Sequence, residues 1–398
     1  MVVVNQARLK NHILKLATFR DVRDEGVTRY AFTPEYEEAS KYVEELMKDA
    51  GLAVHRDALG NLIGKKRGSG EMKGKIITGS HIDTVRQGGM FDGTLGVLGA
   101  IEAVKTLEES GIMLDKDVEV CAFVDEEVSA LGSRAYAGVE LPDRFLRRLE
   151  EKGYTLEEFE SCRQELKEDD CFLELHIEQG RVLEEHGMQI GEVDSILASV
   201  NYEGTAYGRA DHAGATPMTL RKDAFMQLAD FAERFRELVL AEEGTVGTIG
   251  NVVVTPGIRN VIPGRVSFVM EIRTPDESAI PRIEKVLRKE FGKEQVCFER
   301  TAYYKSAIMA DEMSLVIQEV SEMLGLRHER IHSGAGHDTQ SFADKVKAGM
   351  IFVPSVDGIS HSAAEMTSWE DCSNGANVLA NTIIKLGQKR YKGNGGKE

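Results

Sequence analysis

The sequence predicts an α/β fold in which a second, smaller α/β domain is inserted. Helix and strand patterns alternate in the first half, and the middle changes to the order strand, helix, strand, strand, helix, strand. At 398 residues the chain is also longer than one ordinary core allows. We therefore expect a larger domain, a mixed sheet flanked by helices over residues 1–200 and 313–398, and an inserted domain over residues 201–312.

Local signals place the elements of the first half. Thr33-Pro34 opens a helix as N-cap and first-turn proline, and Gly51 ends it. A strand is predicted near Lys75–Gly79, followed by a helix near Leu95–Glu109 with one apolar side. Asp117–Val124 is a further strand, apolar enough to lie inside a sheet.

The middle of the chain has the element order βαββαβ, which is that of a ferredoxin-like domain. The predicted helices and strands, in chain order, are Gly204–Gly208, Asp223–Ala241, Val246–Thr255, Arg265–Arg273, Glu277–Phe291 and Glu294–Tyr304. A helix at Met313–Leu324 returns to the larger domain. The tail Lys392–Glu398 is rich in glycine and lysine, and we expect it to fray.

Composition excludes several classes of function. The chain has 49 Lys and Arg against 66 Asp and Glu, a net charge of −17, which disfavours binding to nucleic acid or an anionic membrane. No apolar run approaches a membrane span, and Met1–Lys10 lacks the pattern of a secretory signal. Five scattered cysteines without a CxxC pair favour a reducing cytoplasm, most of them as small buried residues.

The strongest chemical signal is Ser80-His81-Ile82-Asp83-Thr84, followed by Gly89-Met90-Phe91-Asp92-Gly93. His81 ends a strand, where α/β proteins place ligand-binding groups. Asp83 is well placed to hold the second imidazole nitrogen, and Asp92 begins a helix after a glycine-rich loop. Each residue alone is more often structural, but their combination indicates a site.

Three consecutive carboxylates, Asp125-Glu126-Glu127, directly follow the apolar strand Val118–Val124. They fit a solvated helix start, which the helix dipole favours. At the carboxyl end of a strand they also fit one carboxylate on a metal and a neighbour that carries protons.

Two further segments complete a candidate metal site, Glu174–Gly180 and Gly358–Ser362. The candidate ligands are His81, Asp92, Glu127, His176 and His361. Imidazoles and carboxylates without thiolates suit zinc, with manganese, cobalt or nickel as alternatives. Five ligands exceed what one tetrahedral site needs and fit two metals that share a carboxylate.

An ordered set of motifs makes the chain resemble a known family. The motifs are GSHIDTVRQGGMFDG, DEE, ELHIEQG, GRADHAGATPMTLRKDA, NVIPG, SGAGHD and VPSVDGISHS. From its first helices to Thr367, the chain resembles the M20 metallopeptidase clan, in particular its amidase, hydantoinase and carbamoylase branch. ELHIEQG and SGAGHD point to that branch. The resemblance implies that the larger domain is catalytic and that the inserted one is a lid and dimerisation domain.

The resemblance also assigns metal ligands. One metal takes His81 and His176, the other takes Glu127 and His361, and Asp92 bridges both. Glu126 would then be the general base, and Asp83 would orient His81.

Substrate-binding roles follow from the same resemblance. His212 would stabilise the oxyanion, in this family usually from the partner subunit of a dimer, although alone it fits a satisfied turn histidine. Asn260 and Arg273 would bind the substrate carboxylate, although Arg273 also fits a surface ion pair. Gln179 would bind the ureido end. His337 either lines the pocket or supports it.

The predicted function is hydrolysis of a non-peptide C–N bond in a small anionic substrate by a cytoplasmic, dinuclear homodimer, without nucleic-acid or membrane partners. An N-carbamoyl-L-amino acid is the preferred substrate, with allantoate or a ureidopropionate as alternatives. An M20 aminoacylase or dipeptidase, or a binding protein without turnover, are the remaining alternatives. The stretches Val128–Arg134 and Ser195–Ser199 depart from the family pattern and leave the substrate open.

Overall fold

The computed structural model describes residues 1–389, except the side chain of Lys293, so the predicted fraying of Lys392–Glu398 lies outside the described residues. The chain divides into two compact units. The larger consists of Met1–Asp194 and the chain from Ile308 onward, and the smaller is Ser195–Ala307. Within residues 1–389, no helix has both the length and the apolar character needed to cross a membrane.

The elements are given in chain order. The helices are α1 (Gln6–Leu16), α2 (Pro34–Asp49), α3 (Thr94–Glu109), α4 (Glu126–Ser129), α5 (Leu131–Ala137), α6 (Asp143–Glu151), α7 (Leu156–Ser161), α8 (Val182–His186), α9 (Ala224–Leu240), α10 (Ala279–Gln295), α11 (Asp311–Met323) and α12 (Trp369–Gly387). The strands are β1 (Ala53–Arg56), β2 (Leu62–Lys66), β3 (Lys75–His81), β4 (Asp117–Phe123), β5 (Cys171–Ile177), β6 (Ile190–Ile196), β7 (Ala198–Tyr207), β8 (Val246–Thr255), β9 (Arg265–Thr274), β10 (Val296–Tyr304), β11 (Ala307–Ile308), β12 (His328–Ser333) and β13 (Lys347–Val353).

The larger sheet is mixed, as predicted. Its strand order is β1-β2-β4-β3-β5-β13-β6-β11, and β12 pairs with β6. The four central strands β4, β3, β5 and β13 run parallel, whereas β1, β2 and β6 pair antiparallel with their neighbours. Because the carboxyl ends of parallel strands meet at one edge of a sheet, the segments after these four strands lie close together.

The two faces of this sheet are covered differently. On β5, Leu173, Leu175 and Ile177 join the apolar core that α3 and α12 cover. Phe172 points to the other face, where its ring stacks on Phe342 with centroids 3.9 Å apart. Successive side chains of a strand alternate between faces, so one strand buries an aliphatic core on one side and an aromatic cluster on the other.

The sequence predicted the ends of helix α2 correctly, but it underestimated how much of helix α3 is buried. The Thr33 hydroxyl caps α2 by accepting the Tyr36 N–H at 3.4 Å, and Gly51 follows the helix with a φ of 79°. Helix α3 is buried on almost every side rather than on one, because α12 packs on it in addition to the sheet. The short helices α6 and α7 and the strands β1, β2 and β12 were not predicted, since their segments are polar or short.

The smaller unit has its elements in the order β7, α9, β8, β9, α10, β10. Its sheet order is β10-β7-β9-β8, with antiparallel neighbours throughout. Its own apolar core includes Phe231 of α9, Leu287 of α10, and Phe268 and Phe298 of the sheet. Both helices therefore pack on this sheet, and β8 and β10 form its two edges.

Candidate metal centre

The parallel strands bring the predicted ligands of the larger unit to one edge of the sheet. His81 is the last residue of β3 and His176 lies near the end of β5. Glu127 follows β4, and His361 lies in the segment after β13. Asp92 immediately precedes α3, so five residues from distant parts of the chain meet by strand order alone.

Three imidazoles converge on the buried carboxylate of Asp92. Its Oδ1 lies 3.1 Å from Nε2 of His176 and 3.5 Å from Nε2 of His81. Its Oδ2 lies 3.2 Å from Nε2 of His361. Glu127 completes the second side, with Oε2 3.5 Å from Nε2 of His361. Asp92 is thus the carboxylate that the His81–His176 side and the Glu127–His361 side have in common.

Backbone carbonyls orient two of these rings. The Nδ1 atom of His81 lies 3.0 Å from the carbonyl oxygen of Asp83, and Nδ1 of His176 lies 2.8 Å from that of Ile177. A carbonyl oxygen only accepts hydrogen bonds, so each Nδ1 carries the proton and each Nε2 faces Asp92. Metal-ligating histidines are commonly oriented by such a bond to the second nitrogen.

Asp83 contacts the second nitrogen of His81 through its main chain rather than its carboxylate. Its carboxylate lies 3.7 Å from Nδ1 of His81, and its backbone carbonyl makes the shorter contact instead. The carboxylate accepts the backbone N–H groups of Glu126 at 3.3 Å and Glu127 at 3.2 Å. Asp83 therefore fixes the turn that carries both glutamates, while its main chain orients the ring.

The two glutamates are protonated more readily than exposed ones. Burial, reinforced by neighbouring carboxylates, raises the pKa of Glu126 well above its usual range. Burial and the charge of Asp92 raise the pKa of Glu127 to about 7. Glu126 lies beside the ligands, with Oε2 3.7 Å from Nε2 of His81. A buried carboxyl group with a raised pKa is suited to accept and return a proton.

The pKa of Asp92 moves the opposite way. Burial favours its neutral form, but hydrogen bonds with His176, His361 and His81 outweigh burial and hold the pKa well below its usual range. Asp92 is therefore the ionised centre of the cluster.

The donor set fits divalent cations. His81, Asp92 and His176 form one group whose ligand atoms all lie within 4.8 Å of one another, and Asp92, Glu127 and His361 form a second. Both groups consist of imidazole nitrogens and carboxylate oxygens, which suit zinc and related metals. A third group, Glu174, His176 and His337, meets the same distance criterion.

The third group is engaged elsewhere. Glu174 accepts hydrogen bonds from the hydroxyl of Ser80 at 2.7 Å and from the backbone and hydroxyl of Thr339 at 2.9 and 2.5 Å. His337 is buried and hydrogen-bonds through Nε2 to Ser333 Oγ at 2.8 Å. Its ring packs edge-on against that of His176 with centroids 4.5 Å apart. Of the two roles the sequence allowed for His337, these contacts favour support of the site.

Gln179, predicted to bind the ureido end of a substrate, lies beside the candidate ligands, and its side-chain amide contacts Asp92. Its Nε2 donates to Asp92 Oδ2 at 2.8 Å and to Ser360 Oγ at 3.2 Å. Its Oε1 is buried and has no hydrogen-bond partner among the described residues. Its backbone is in the left-handed region, with a φ of 59°. An unpaired buried acceptor here is available to an N–H donor of a substrate.

Sequence reasoning missed the role of Glu365. One carboxylate oxygen accepts the backbone N–H groups of Phe91 at 3.0 Å and Asp92 at 3.1 Å. The other accepts the Ser360 hydroxyl at 2.8 Å. Glu365 therefore joins the Asp92 segment to the His361 segment. The sequence did offer a hint, since Glu365 follows the candidate ligand His361 by four residues. That spacing does not specify the hydrogen bonds to the backbone of Phe91 and Asp92.

Gly93 is required where it stands. Its φ is 61°, and a Cβ atom built on it would lie 2.4 Å from Nε2 of His81. Any side chain at this position would displace the ring of a candidate ligand.

The remaining predicted residues belong to the smaller unit. His212 is exposed, and its Nδ1 accepts the N–H groups of Gly214 at 3.1 Å and Ala215 at 3.0 Å. Its Nε2 therefore carries the proton and is able to donate. The side chain of Asn260 is exposed. The backbone carbonyl of Asn260 accepts the N–H of Ala213 at 3.0 Å, which places this residue beside the His212 turn.

Arg273 lies on β9 and is partly exposed. Its Nη2 forms an ion pair with Glu271 Oε1 at 2.9 Å. This is the ion pair on a strand that the sequence allowed as an alternative. It leaves the substrate-binding role of Arg273 a prediction.

Comparisons with known proteins agree with this site. The model of Peptidase family M20/M25/M40 matches residues 77–385. An N-carbamoyl-L-amino acid amidohydrolase of Geobacillus stearothermophilus is 37% identical over 410 aligned positions, which cover 97% of this chain and 100% of that protein. An allantoate amidohydrolase of Escherichia coli is 32% identical, over 91% of this chain and 93% of its own.

A solved structure extends the similarity to the fold. The crystal structure of an amidase of the hydantoinase/carbamoylase family from Burkholderia multivorans has a TM-score of 0.89 and 31% sequence identity, and the match covers 97% of this chain and 98% of that one. The residues matched by the family model include all five metal-ligand candidates. The chain belongs to Peptidase family M20/M25/M40 and is a hydrolase of amide C–N bonds.

Proposed function

We propose that the protein is a dinuclear metal-dependent amidohydrolase of a ureido or carbamoyl acid, with an N-carbamoyl-L-amino acid as its preferred substrate. The observation that carries this proposal is the convergence of three imidazoles on Asp92 beside the raised-pKa carboxyl of Glu126. The names of the relatives support the substrate class. Allantoate and ureidopropionate are the alternatives within that class.

Two divalent metal ions per subunit, zinc first and manganese, cobalt or nickel as alternatives, would be held at the centre. His81, Asp92 and His176 would bind one, and Asp92, Glu127 and His361 the other. Bound there, such ions would supply Lewis acidity toward a poorly electrophilic ureido carbonyl and toward water.

Glu126 is the proposed general base. It would take a proton from the attacking water and return it to the leaving nitrogen, for which burial and its raised pKa prepare it. Glu126→Gln keeps the size of the side chain and removes this capacity. We expect that variant to retain metal and to lose about 10²- to 10⁴-fold in turnover.

Substrate contacts are assigned to both units. The unpaired Oε1 of Gln179 would accept an N–H of the ureido end. The protonated Nε2 of His212 would donate to the developing oxyanion. Asn260 and Arg273 would bind the substrate carboxylate, because a guanidinium offers two parallel N–H groups to it.

The smaller unit is proposed to be a ferredoxin-like lid and dimerisation domain. Its βαββαβ order and its exposed edge strand β8, with Val252 and Val253 exposed, support a homodimer. The five cysteines are all free in the described residues, which supports a reducing cytoplasm. The net charge of −17 argues against nucleic-acid and membrane partners.

The test is ammonia release from N-carbamoyl-L- and D-amino acids, N-carbamoyl-β-alanine and allantoate. The protein is stripped of metal and reloaded with zinc, manganese, cobalt or nickel, with Glu126→Gln as the matched inactive control. We expect metal-dependent ammonia release from an N-carbamoyl-L-amino acid, and none from the stripped enzyme.

Other outcomes are equally informative. Ammonia from allantoate or N-carbamoyl-β-alanine alone would reassign the substrate within the class. Amine release from acylated amino acids or dipeptides without ammonia would establish the aminoacylase or dipeptidase alternative. Full activity of the Glu126→Gln variant would show that the base is another residue.

A further inference from the structure

The turn that carries the proposed base begins at a residue in an uncommon conformation. Asp125 has φ 60° and ψ 41°, in the left-handed region, and is completely buried. It directly precedes Glu126 and Glu127. A buried non-glycine residue in this region persists only where its surroundings hold it.

Arg148 of α6 holds this residue through two charge-assisted hydrogen bonds. Its Nε donates to Asp125 Oδ2 at 2.7 Å, and its Nη2 donates to Oδ1. The hydroxyl of Ser129 donates to the same Oδ2 at 2.6 Å. A guanidinium that binds both oxygens of a carboxylate fixes its direction as well as its charge.

The other side of the turn is held independently. Asp83 accepts the N–H groups of Glu126 and Glu127 at 3.3 and 3.2 Å. The side-chain oxygen of Asn61 accepts the N–H of Val124 at 2.9 Å. The strand end and the start of the next helix are therefore both anchored, and Asp125 is the residue whose direction depends on Arg148.

We propose that Arg148 is a positioning residue: through its ion pair with Asp125 it fixes the turn that aims Glu126 at the reacting atoms and Glu127 at the metal position. This proposal rests on the proposed function, because it gives Glu126 the role of base. Within residues 1–389, the Arg148 side chain hydrogen-bonds to Asp125 and to none of the candidate ligands, so it acts on the turn through Asp125.

The position of Arg148 makes this role separable from folding. Its side chain is 25% exposed, whereas that of Asp125 is 1% exposed. Removal of the guanidinium leaves the apolar core in place but leaves a buried carboxylate without its cation. The adjacent Arg147 is exposed on the same helix and provides a matched control.

The test compares Arg148→Met with Arg147→Met, on the metal-loaded enzyme and the substrate found above. We expect Arg148→Met to lower kcat about 10- to 100-fold and to weaken zinc retention against a competing chelator by a similar factor, as loss of a residue that orients ligands does. We expect KM to change little and Arg147→Met to behave as wild type. Arg148→Lys should recover part of kcat, because a lysine keeps the charge but not the paired geometry.

Coupling to Glu126 separates positioning from general destabilisation. At saturating metal, so that weaker metal retention does not limit the rate, Arg148→Met should lower kcat much less in the Glu126→Gln background than in the wild type, since the base that it aims is already absent. The double variant Asp125→Asn/Arg148→Met removes the unpaired charge and should fold, as thermal unfolding will show, while kcat stays low.

Two results would overturn the proposal. One is wild-type kcat and zinc retention in folded Arg148→Met. The other is an equal fractional loss of kcat with and without Glu126. Failure of the proposed function is distinct, since it appears as absence of ammonia release in the wild type. In that case, zinc retention by Arg148→Met against Arg147→Met still decides the role of Arg148.

Discussion

The proposed metal ligands and the proposed substrate-binding residues of the smaller unit differ in how the chain holds them. Asp92, His81 and His176 are buried, and each contacts two or more groups that fix its direction. His212 and Asn260 are exposed, and Arg273 is partly exposed beside an anion of its own strand. The first group is preorganised within one unit, whereas the second is presented to solvent.

This difference has a physical origin in the two sheets. The carboxyl ends of four parallel strands force polar side chains together, and burial there is tolerated because imidazoles and carboxylates offset one another. In the smaller unit, His212 is exposed on a turn, and its ring accepts hydrogen bonds from the backbone N–H groups of Gly214 and Ala215 in the same turn. Under the proposed function, the metal ligands are therefore buried residues of the larger unit, and the substrate contacts of the smaller unit come from exposed or partly exposed residues.

Among variants at His212, Gly93 and Arg273, the largest loss of activity is expected at His212. This variant tests whether an exposed residue matters as much to activity as a buried one. His212→Ala should lower kcat by about 10²- to 10³-fold, the usual cost of losing one oxyanion donor. Metal content should be unchanged. Steady-state kinetics of the metal-loaded variant measure kcat, and metal analysis of the same protein measures the metal content.

Mixing His212→Ala with Glu126→Gln subunits shows which subunit supplies the donor. If the donor comes from the partner, a random mixture of dimers should recover about a quarter of wild-type activity, since half of the dimers then hold one intact site. No recovery would place His212 in the site of its own chain.

A smaller effect is expected at Gly93, which tests preorganisation directly. Gly93→Ala should weaken metal affinity and lower activity about 10- to 100-fold, because the new Cβ would lie 2.4 Å from His81 Nε2. Gly111→Ala is the control, since its φ of 65° is similar but no atom lies within 4 Å of the added Cβ. Gly111→Ala should lose about 1–2 kcal/mol of unfolding free energy to its positive φ. Gly93→Ala should lose more, because its φ of 61° and ψ of −43° lie outside the left-handed helical region and the added Cβ meets the His81 ring. Equal metal affinities in the two variants would contradict the steric argument.

The smallest effect is expected at Arg273. Arg273→Lys should raise KM about tenfold, the loss of one charge-assisted hydrogen bond worth about 1.5 kcal/mol, with kcat nearly unchanged. Arg265→Lys on the same strand is the matched control. The ion pair of Arg273 with Glu271 is partly exposed, so the unfolding free energy of Arg273→Lys should hardly change. An unaltered KM would leave Arg273 with only a structural role.

Much of the candidate site was predictable because its residues lie in short motifs. His81, Asp92, His176 and His361 each stand next to a recognisable strand end or glycine turn, and all four meet in the structure. What motifs did not contain was the direction of each hydrogen bond. Asp83 was expected to hold the second nitrogen of His81, but the motif did not specify that its carbonyl makes this contact while its carboxylate accepts the N–H groups of Glu126 and Glu127.

The fold was predictable to a similar depth. Strands β3 and β4 of the larger sheet and the βαββαβ order of the smaller unit were predicted from apolar runs and caps, whereas the other strands of the larger sheet were not. The order of β5 next to β13 and of α3 beneath α12 was not, since neighbours in a sheet are distant in the chain. Short polar elements such as α6 carry no periodic signal, and Arg148 was therefore overlooked.

By itself, the sequence determined the fold class, the candidate ligand residues and the family, because strand ends, glycine turns and metal donors are local properties of a few consecutive residues. Only the tertiary structure decided which atoms face Asp92, that Glu365 joins the Asp92 and His361 segments, and that Arg148 holds Asp125. The contacts of Glu365 with Asp92 and of Arg148 with Asp125 join residues 273 and 23 positions apart, and strand order, burial and the need to pair buried charges select them together.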